Sequence, residues 1–200
     1  MAGAMTKSGN PANGTSSGGF TIVELVVSIA VILIITGVAL PSFLQSYRTY
    51  QLSDAASKAA NLLKLTRFEA IRRNTPVSCQ IRQAGSATNF WVDSNGNASM
   101  DVGETQVVFT GTIGPISAGA APGTDALASA VGVPTLTSVS PTNATVTFDQ
   151  RGAVNPAAVY VLYLGNTALP NLGSRAVILL PSGSVQVWSA DSGGIWHLLN

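Results

Sequence analysis

One cysteine, one histidine and a charged fraction of only 10% are what this 200-residue chain has least of. Cys79 alone allows no intrachain disulfide, and its place in the alternation Val77, Cys79, Ile81 makes it a small buried apolar residue. His197 follows Trp196 near the C-terminus with no partner set around it, so acid–base chemistry of the histidine kind lacks its parts. No Gly-x-Ser-x-Gly elbow, phosphate-binding Gly-Lys-Ser/Thr loop or zinc-ligand spacing occurs. An enzyme is not expected. Typical soluble domains are about 25% charged, and with a net charge of +1 this chain has no bulk field to gather nucleic acid or lipid.

What the chain does have is one long apolar run. From Leu25 to Tyr47 there is no charged residue, enough for one helix of about 20 residues across a hydrocarbon core. Glu24 stands at the start of that run, where burial of a carboxylate in lipid costs about 2.5 to 3.5 kcal/mol on insertion scales. Such a residue is a candidate for function, set against an acid that simply snorkels to the membrane surface. Gly37 and Pro41 lie inside the run, and Pro41 removes the bond to the Gly37 carbonyl, which predicts a bend and local melting there.

Beyond the run, Leu52, Ala55, Ala56, Ala59, Leu62, Leu63, Thr66 and Ala70 recur at three- and four-residue steps. That spacing predicts a helix with one face packed on a domain. Asn74-Thr75-Pro76 ends it, because Pro disfavours helical geometry in the residue before it. The remainder reads as β. Val77–Arg82, Gln106–Thr110, Thr145–Asp149, Val159–Leu164, Ala176–Leu180 and Val185–Trp188 are the expected strands. Residues 112–143 carry small and polar side chains and a single charge, Asp125, and read as a long functional or mobile loop.

One stretch has metal-like spacing. In a twelve-residue frame from Asp93, oxygen side chains fall at Asp93, Asn95, Asn97, Ser99, Asp101 and Glu104, the positions by which an EF-hand loop wraps calcium. Ala98 stands at the sixth position where that loop needs Gly, and Asx-rich turns give the same letters for backbone reasons. Calcium and an ordinary turn both stay open.

Gly19-Phe20-Thr21-Ile22-Val23-Glu24 resembles the processing site of type IV prepilins and type II secretion pseudopilins. The resemblance implies that a prepilin peptidase cuts after Gly19 and methylates Phe20, leaving Glu24 as the fifth mature residue and Pro41 as a helix-bending proline. An ammonium on Phe20 and the carboxylate of Glu24 attract far more strongly in a low-dielectric layer than in water, which suits Phe20 and Glu24 to filament assembly, and the resemblance adds Pro41 to the assembly residues. Arg67-Phe-Glu-Ala-Ile-Arg72-Arg73-Asn74, Phe90-Trp91-Val92-Asp93, Thr147-Phe148-Asp149-Gln150-Arg151-Gly152 and Arg175 to Gly183 resemble the pattern of FimT/FimU minor pilins and the H-type secretion pseudopilin, GspH.

The expected organisation is therefore a cleaved leader at 1–19, a transmembrane and assembly helix at 20–47, an amphipathic helix at 48–75 and a β-rich domain at 76–200. Its fold class is α+β, a long N-terminal helix packed on an antiparallel sheet or β-sandwich. Residues 1–19 are polar and lack the apolar core of a secretory signal. Lys7 faces Arg48 and Lys58 across the run, so charge does not fix orientation. The resemblance alone places the protein in a bacterial inner membrane with its C-terminal domain outside.

The expected partners are other pilins or pseudopilins, met through the N-terminal helix, together with the prepilin peptidase and the inner membrane. The first reading of function is a minor pilin supporting pilus assembly, adhesion or DNA uptake, and the second an H-type pseudopilin. A third is a membrane-tethered ligand-binding domain. No cofactor is expected, calcium aside. Some FimT-type pilins bind DNA through a Gly-Arg-x-Arg motif, but here Gly183-Ser184-Val185-Gln186 replaces both arginines, so DNA binding by the soluble domain alone is not expected.

Overall fold

The computed structural model describes residues 19–199. The expected leader therefore lies outside the described residues, apart from Gly19. The chain divides between Ser42 and Phe43 into two units. Helix α1, Ile22–Arg73, carries the apolar run. Its mean hydropathy reaches 2.7 in an 18-residue window, long and apolar enough to cross a membrane. Every residue from Gly19 to Arg48 is exposed.

Helical bonding runs unbroken through Gly37 and Pro41, so the local melting expected at Pro41 is absent. A proline removes one donor, and the bonds of the flanking turns keep the backbone helical. The end of α1 comes where the sequence places it. Asn74 takes φ +50°, and the Thr75 amide donates to the Ala70 carbonyl at 3.3 Å while the Asn74 amide donates to Ile71 at 3.2 Å. This is a Schellman closure, with Asn in the left-handed position and Pro76 preventing continuation.

In the second unit two sheets form. The first contains β1 (Val77–Ala84), β2 (Ala87–Asp93), β3 (Gln106–Phe109), β6 (Asn143–Phe148) and β7 (Val154–Asn155), in the order β3-β2-β1-β6-β7. The second contains β4 (Ile113–Ile116), β8 (Tyr160–Asn166), β9 (Ser174–Leu179), β10 (Val185–Ala190) and β11 (Trp196–Leu198), in the order β11-β10-β9-β8-β4. Short β5 (Thr137–Ser138) pairs parallel to β8, and the other pairings are antiparallel. The fold is α+β, as expected.

Strand periodicity separates two cores. Leu162 and Leu164 of β8, Val177 and Leu179 of β9, and Val187 of β10 join the buried face of α1 and the residues Cys79, Ile81, Phe90, Val146 and Phe148 of the first sheet. All eight residues expected on the packed face of α1 are buried there. Alternate residues Val161, Tyr163, Ala176, Ile178 and Trp188 face the other side of the second sheet, where Ile116, Leu127 and Trp196 cover them. A sheet buried on both faces reads as continuous apolar sequence.

That second core corrects the reading of residues 112–143 as a long loop. The tract contains β4, a 3₁₀ turn at Ala118–Ala120, helix α2 (Thr124–Val131) and β5. Leu127 of α2 is fully buried against the sheet. The C-terminal stretch meets it there. Trp196 Nε1 donates to the carbonyls of Gly123 at 2.9 Å and Pro122 at 3.2 Å, and its ring lies 6.1 Å from that of Tyr163. Residues 118–131 and Trp196 thus form one covering layer over that face of the sheet.

Candidate assembly helix and domain motifs

At the start of α1, Thr21 acts as N-cap. Its Oγ1 accepts from the Glu24 amide at 3.2 Å, and its carbonyl accepts from the Leu25 amide at 3.1 Å. Thr-x-x-Glu is the sequence form of a capping box, so Thr21 has a structural role that its letters already carried. A carboxylate in the first turn also opposes the positive end of the helix dipole. Glu24 is exposed, as are Phe20 and the apolar residues that follow. Gly19 precedes the helix, with nothing among the described residues within 4 Å of where a Cβ would stand. Pro41 lies inside the same exposed apolar surface.

The domain motifs converge on one point of α1. Arg67 Nε donates to the Gly152 carbonyl at 3.1 Å, and Gly183 packs over the same guanidinium. Gly152 and Gly183 take φ +78° and +80°, where only glycine is unstrained. The Gly152 turn is set by Asp149, whose Oδ1 accepts from the amides of Arg151 and Ala153, each at 2.9 Å. Arg72 and Arg73 both bond Glu69, at 2.7 and 3.0 Å, and their hydrogen bonds hold its carboxyl below the usual range. Arg175 is buried and donates to Ser53 Oγ at 3.2 Å and to the Ser174 carbonyl. Burial lowers its pKa.

The Asp93–Glu104 frame is a closed turn whose acceptors face protein donors. Asp93, buried at 2% exposure, accepts from the amides of Gly96 at 2.7 Å and Ala98 at 2.9 Å and from Gln80 Nε2 at 3.1 Å. Glu104 Oε1 accepts from the Ser94 amide and Oε2 from the Asp101 amide. Asn95 and Asn97 both donate side-chain bonds to Asp101 Oδ2, while their own Oδ1 atoms accept from the amides of Asn97 and Ser99. Ala98 adopts φ +57° although it is not glycine. Ser99 contributes its carbonyl, to Trp91 Nε1. Among the described residues no three His, Cys, Asp or Glu side chains gather as a metal group.

Cys79 is fully buried, and desolvation pushes its thiol up to about 12 despite a hydrogen bond with Thr66. At neutral pH it is not a thiolate and not a nucleophile. His197 lies exposed on β11.

A family model described as "Type II transport protein GspH" matches residues 55–183. The chain belongs to the GspH family. The match takes in the buried half of α1 and ends at Gly183, so it includes Arg67, Gly152 and Gly183 and leaves the N-terminal motif outside. Two crystal structures of the type IV minor pilin FimU of Pseudomonas aeruginosa, in space groups P21 and P65, are similar in fold with TM-scores of 0.46 and 0.44, each at 16% identity. The first alignment covers 72% of this chain and 90% of FimU, the second 70% and 94%. No curated protein matches the chain. The pilin-like family expected from the motifs is the family found.

Proposed function

We propose that this GspH-family protein is a minor pilin of a type IV pilus, incorporated through the apolar half of α1 and supporting pilus assembly, adhesion or DNA uptake. The observation that carries the assembly role is the exposed stretch Gly19–Arg48, an uncovered apolar helical surface headed by one capped carboxylate residue, Glu24. In lipid such a surface is solvated by acyl chains, and in a filament neighbouring helices cover it. Processing leaves the Phe20 ammonium of one subunit to pair with Glu24 of another. The chain is anchored in the inner membrane with its β domain outside.

A second reading, an H-type pseudopilin of a type II secretion system, is favoured by the family's own description. Deletion in the native host separates the two machines: loss of surface pili with protein export intact supports the pilus, and the reverse supports secretion. The shared premise is tested by processing. Coexpression with a prepilin peptidase should yield a membrane form beginning at Phe20, and Gly19→Val should block the cut. An uncut N-terminus in the presence of active peptidase removes both readings.

A further inference from the structure

Two asparagines of the Asp93–Glu104 turn are held by one repeated pattern. Asn95 and Asn97 are exposed, and each donates Nδ2 to Asp101 Oδ2, at 2.7 and 2.6 Å. Each receives on Oδ1 the backbone amide two residues on, from Asn97 at 3.1 Å and from Ser99 at 2.8 Å. The amide directly after each asparagine goes to a single buried carboxylate. Gly96 N–H donates to Asp93 Oδ1 at 2.7 Å, and Ala98 N–H to Asp93 Oδ2 at 2.9 Å. Those two nitrogens are the internal nucleophiles for the asparagine side chains.

Asparagine deamidates by that route. The following nitrogen loses its proton to water or hydroxide and attacks Cγ, Nδ2 leaves with a proton as ammonia, and a cyclic imide closes. Water then opens the imide at either carbonyl and leaves aspartate or isoaspartate, so the net change is one water taken up and one ammonia released. A side chain on the attacking residue hinders the ring closure, and glycine has none. Asn95-Gly96 is the one Asn-Gly pair among the described residues, and Asn97-Ala98 is its hindered counterpart.

In the closed turn the Asn97 amide polarises the Asn95 carbonyl, so the electrophile is ready and the nucleophile is what is withheld. The Asp93 carboxylate keeps the Gly96 proton in place and opposes the negative charge that its loss would create. We propose that Asn95 is a self-modification site gated by its own turn: the closed turn withholds deamidation, opening releases it, and the product prevents reclosure. A carboxylate at position 95 would face Asp101 Oδ2, where the Asn95 amide now donates. The bonds from Asn95 and Asn97 hold the Asp101 carboxyl below its usual range, so it is charged when the new carboxylate meets it. An isoaspartate link also adds a backbone carbon ahead of Gly96. Arg73 Nη1 donates to the Ser94 carbonyl at 3.1 Å, so a turn held open loosens a tie to the end of α1. None of this rests on how α1 assembles.

The test incubates the full chain in detergent micelles at mildly alkaline pH and follows each asparagine by peptide-mapping mass spectrometry, with isoaspartate separated from aspartate. In urea, where the turn is open, Asn95 should convert and Asn97 should lag. In the folded chain Asn95 should react more slowly by about tenfold or more, the factor for a hydrogen bond to a charged group. Asp93→Asn keeps the shape but offers a neutral acceptor, which holds an amide more weakly, so the folded rate should rise severalfold. Equal rates for wild type in buffer and in urea overturn the proposal, and this comparison decides even if Asp93→Asn fails to fold. Conversion of Asn97 ahead of Asn95, or equal folded rates for wild type and Asp93→Asn, also overturns it. Asn95→Asp, standing for the product, should speed hydrogen exchange of the Gly96 and Ala98 amides. Unchanged exchange there overturns the claim that the product keeps the turn open.

Discussion

Arg67 Nε donates to the carbonyl of Gly152 across 85 residues of sequence, 3.1 Å apart, and Gly183 closes over the same guanidinium. One hydrogen bond thus ties α1 to the β6–β7 turn, with the β9–β10 turn packed above it. A Cβ on Gly183 would strike the Gly152 carbonyl and lie 2.8 Å from Arg67 Nε, at a φ that L residues rarely adopt. Gly183→Ala should therefore cost about 2 to 5 kcal/mol from backbone strain and overpacking. Arg67→Ala should cost less, about 1 to 2 kcal/mol for one bond and its packed stem. Denaturation of the full chain in detergent, followed by near-UV circular dichroism, gives both values; Gly183→Ala at wild-type stability refutes the arrangement.

Glu24 is separable from folding because it is exposed and donates nothing to the domain. Glu24→Ala leaves the Thr21 cap bond to the backbone amide in place and removes a carboxylate that costs about 2.5 to 3.5 kcal/mol in lipid. Membrane insertion should be equal or better, while recovery in sheared filaments falls. Matched expression with undiminished incorporation argues that another group sets the register.

Much of this architecture was legible in sequence, and the failures have a common cause. The three- and four-residue spacing from Leu52 to Ala70 names the buried face of α1 because one element faced one core. Strands β1, β3, β6, β8, β9 and β10 likewise declared themselves through alternating or continuous apolar residues, whereas β2, β7 and β11 lie outside the expected spans. Residues 112–143 did not, because α2 has eight residues and buries one of them, Leu127, too little for periodicity to show. Trp196 and Gly123 meet only in three dimensions. At the N-terminus, the capping role of Thr21 is legible in the Thr-x-x-Glu spacing. The Asp93 frame showed its spacing but not its direction, since letters do not tell whether oxygens face a cation or backbone amides.

For that frame the structure sets a definite expectation. Asp93 and Glu104 hold amide donors with both oxygens, so closing the turn needs no ion. Glu104→Ala should lower the melting temperature by freeing the Ser94 and Asp101 amides, each lost bond costing about 1 kcal/mol. Millimolar calcium should leave the wild-type midpoint where it was. A calcium-dependent rise that Glu104→Ala abolishes would instead establish a metal site, by mass action on the folded state.

DNA is the remaining partner to weigh, and it depends on which arginines are free. Beyond Pro76 the chain has only Arg82, Arg151 and Arg175 against Asp93, Asp101, Glu104, Asp125, Asp149 and Asp191. Arg175 is buried, and Arg82 is turned back to the Ile81 and Ala144 carbonyls, each 2.8 Å from Nη1. On α1, Lys58 pairs with Asp54, Arg67 with Gly152, and Arg72 and Arg73 with Glu69. Where Gly-Arg-x-Arg would stand, Ser184 follows Gly183 and Gln186 Oε1 accepts from Trp188 Nε1 at 3.1 Å. Neither side chain neutralises a phosphate, and counterion release by cations supplies most sequence-independent affinity. Duplex DNA should therefore bind the full chain in detergent weakly near physiological salt. Ser184→Arg with Gln186→Arg should tighten binding and steepen its salt dependence by up to about two phosphate contacts. Fluorescence anisotropy at several salt concentrations measures both, and submicromolar binding by the unmodified chain with a steep salt slope would overturn this expectation and point to Arg48, Lys64 and Arg151, which are exposed and make no ion pair among the described residues.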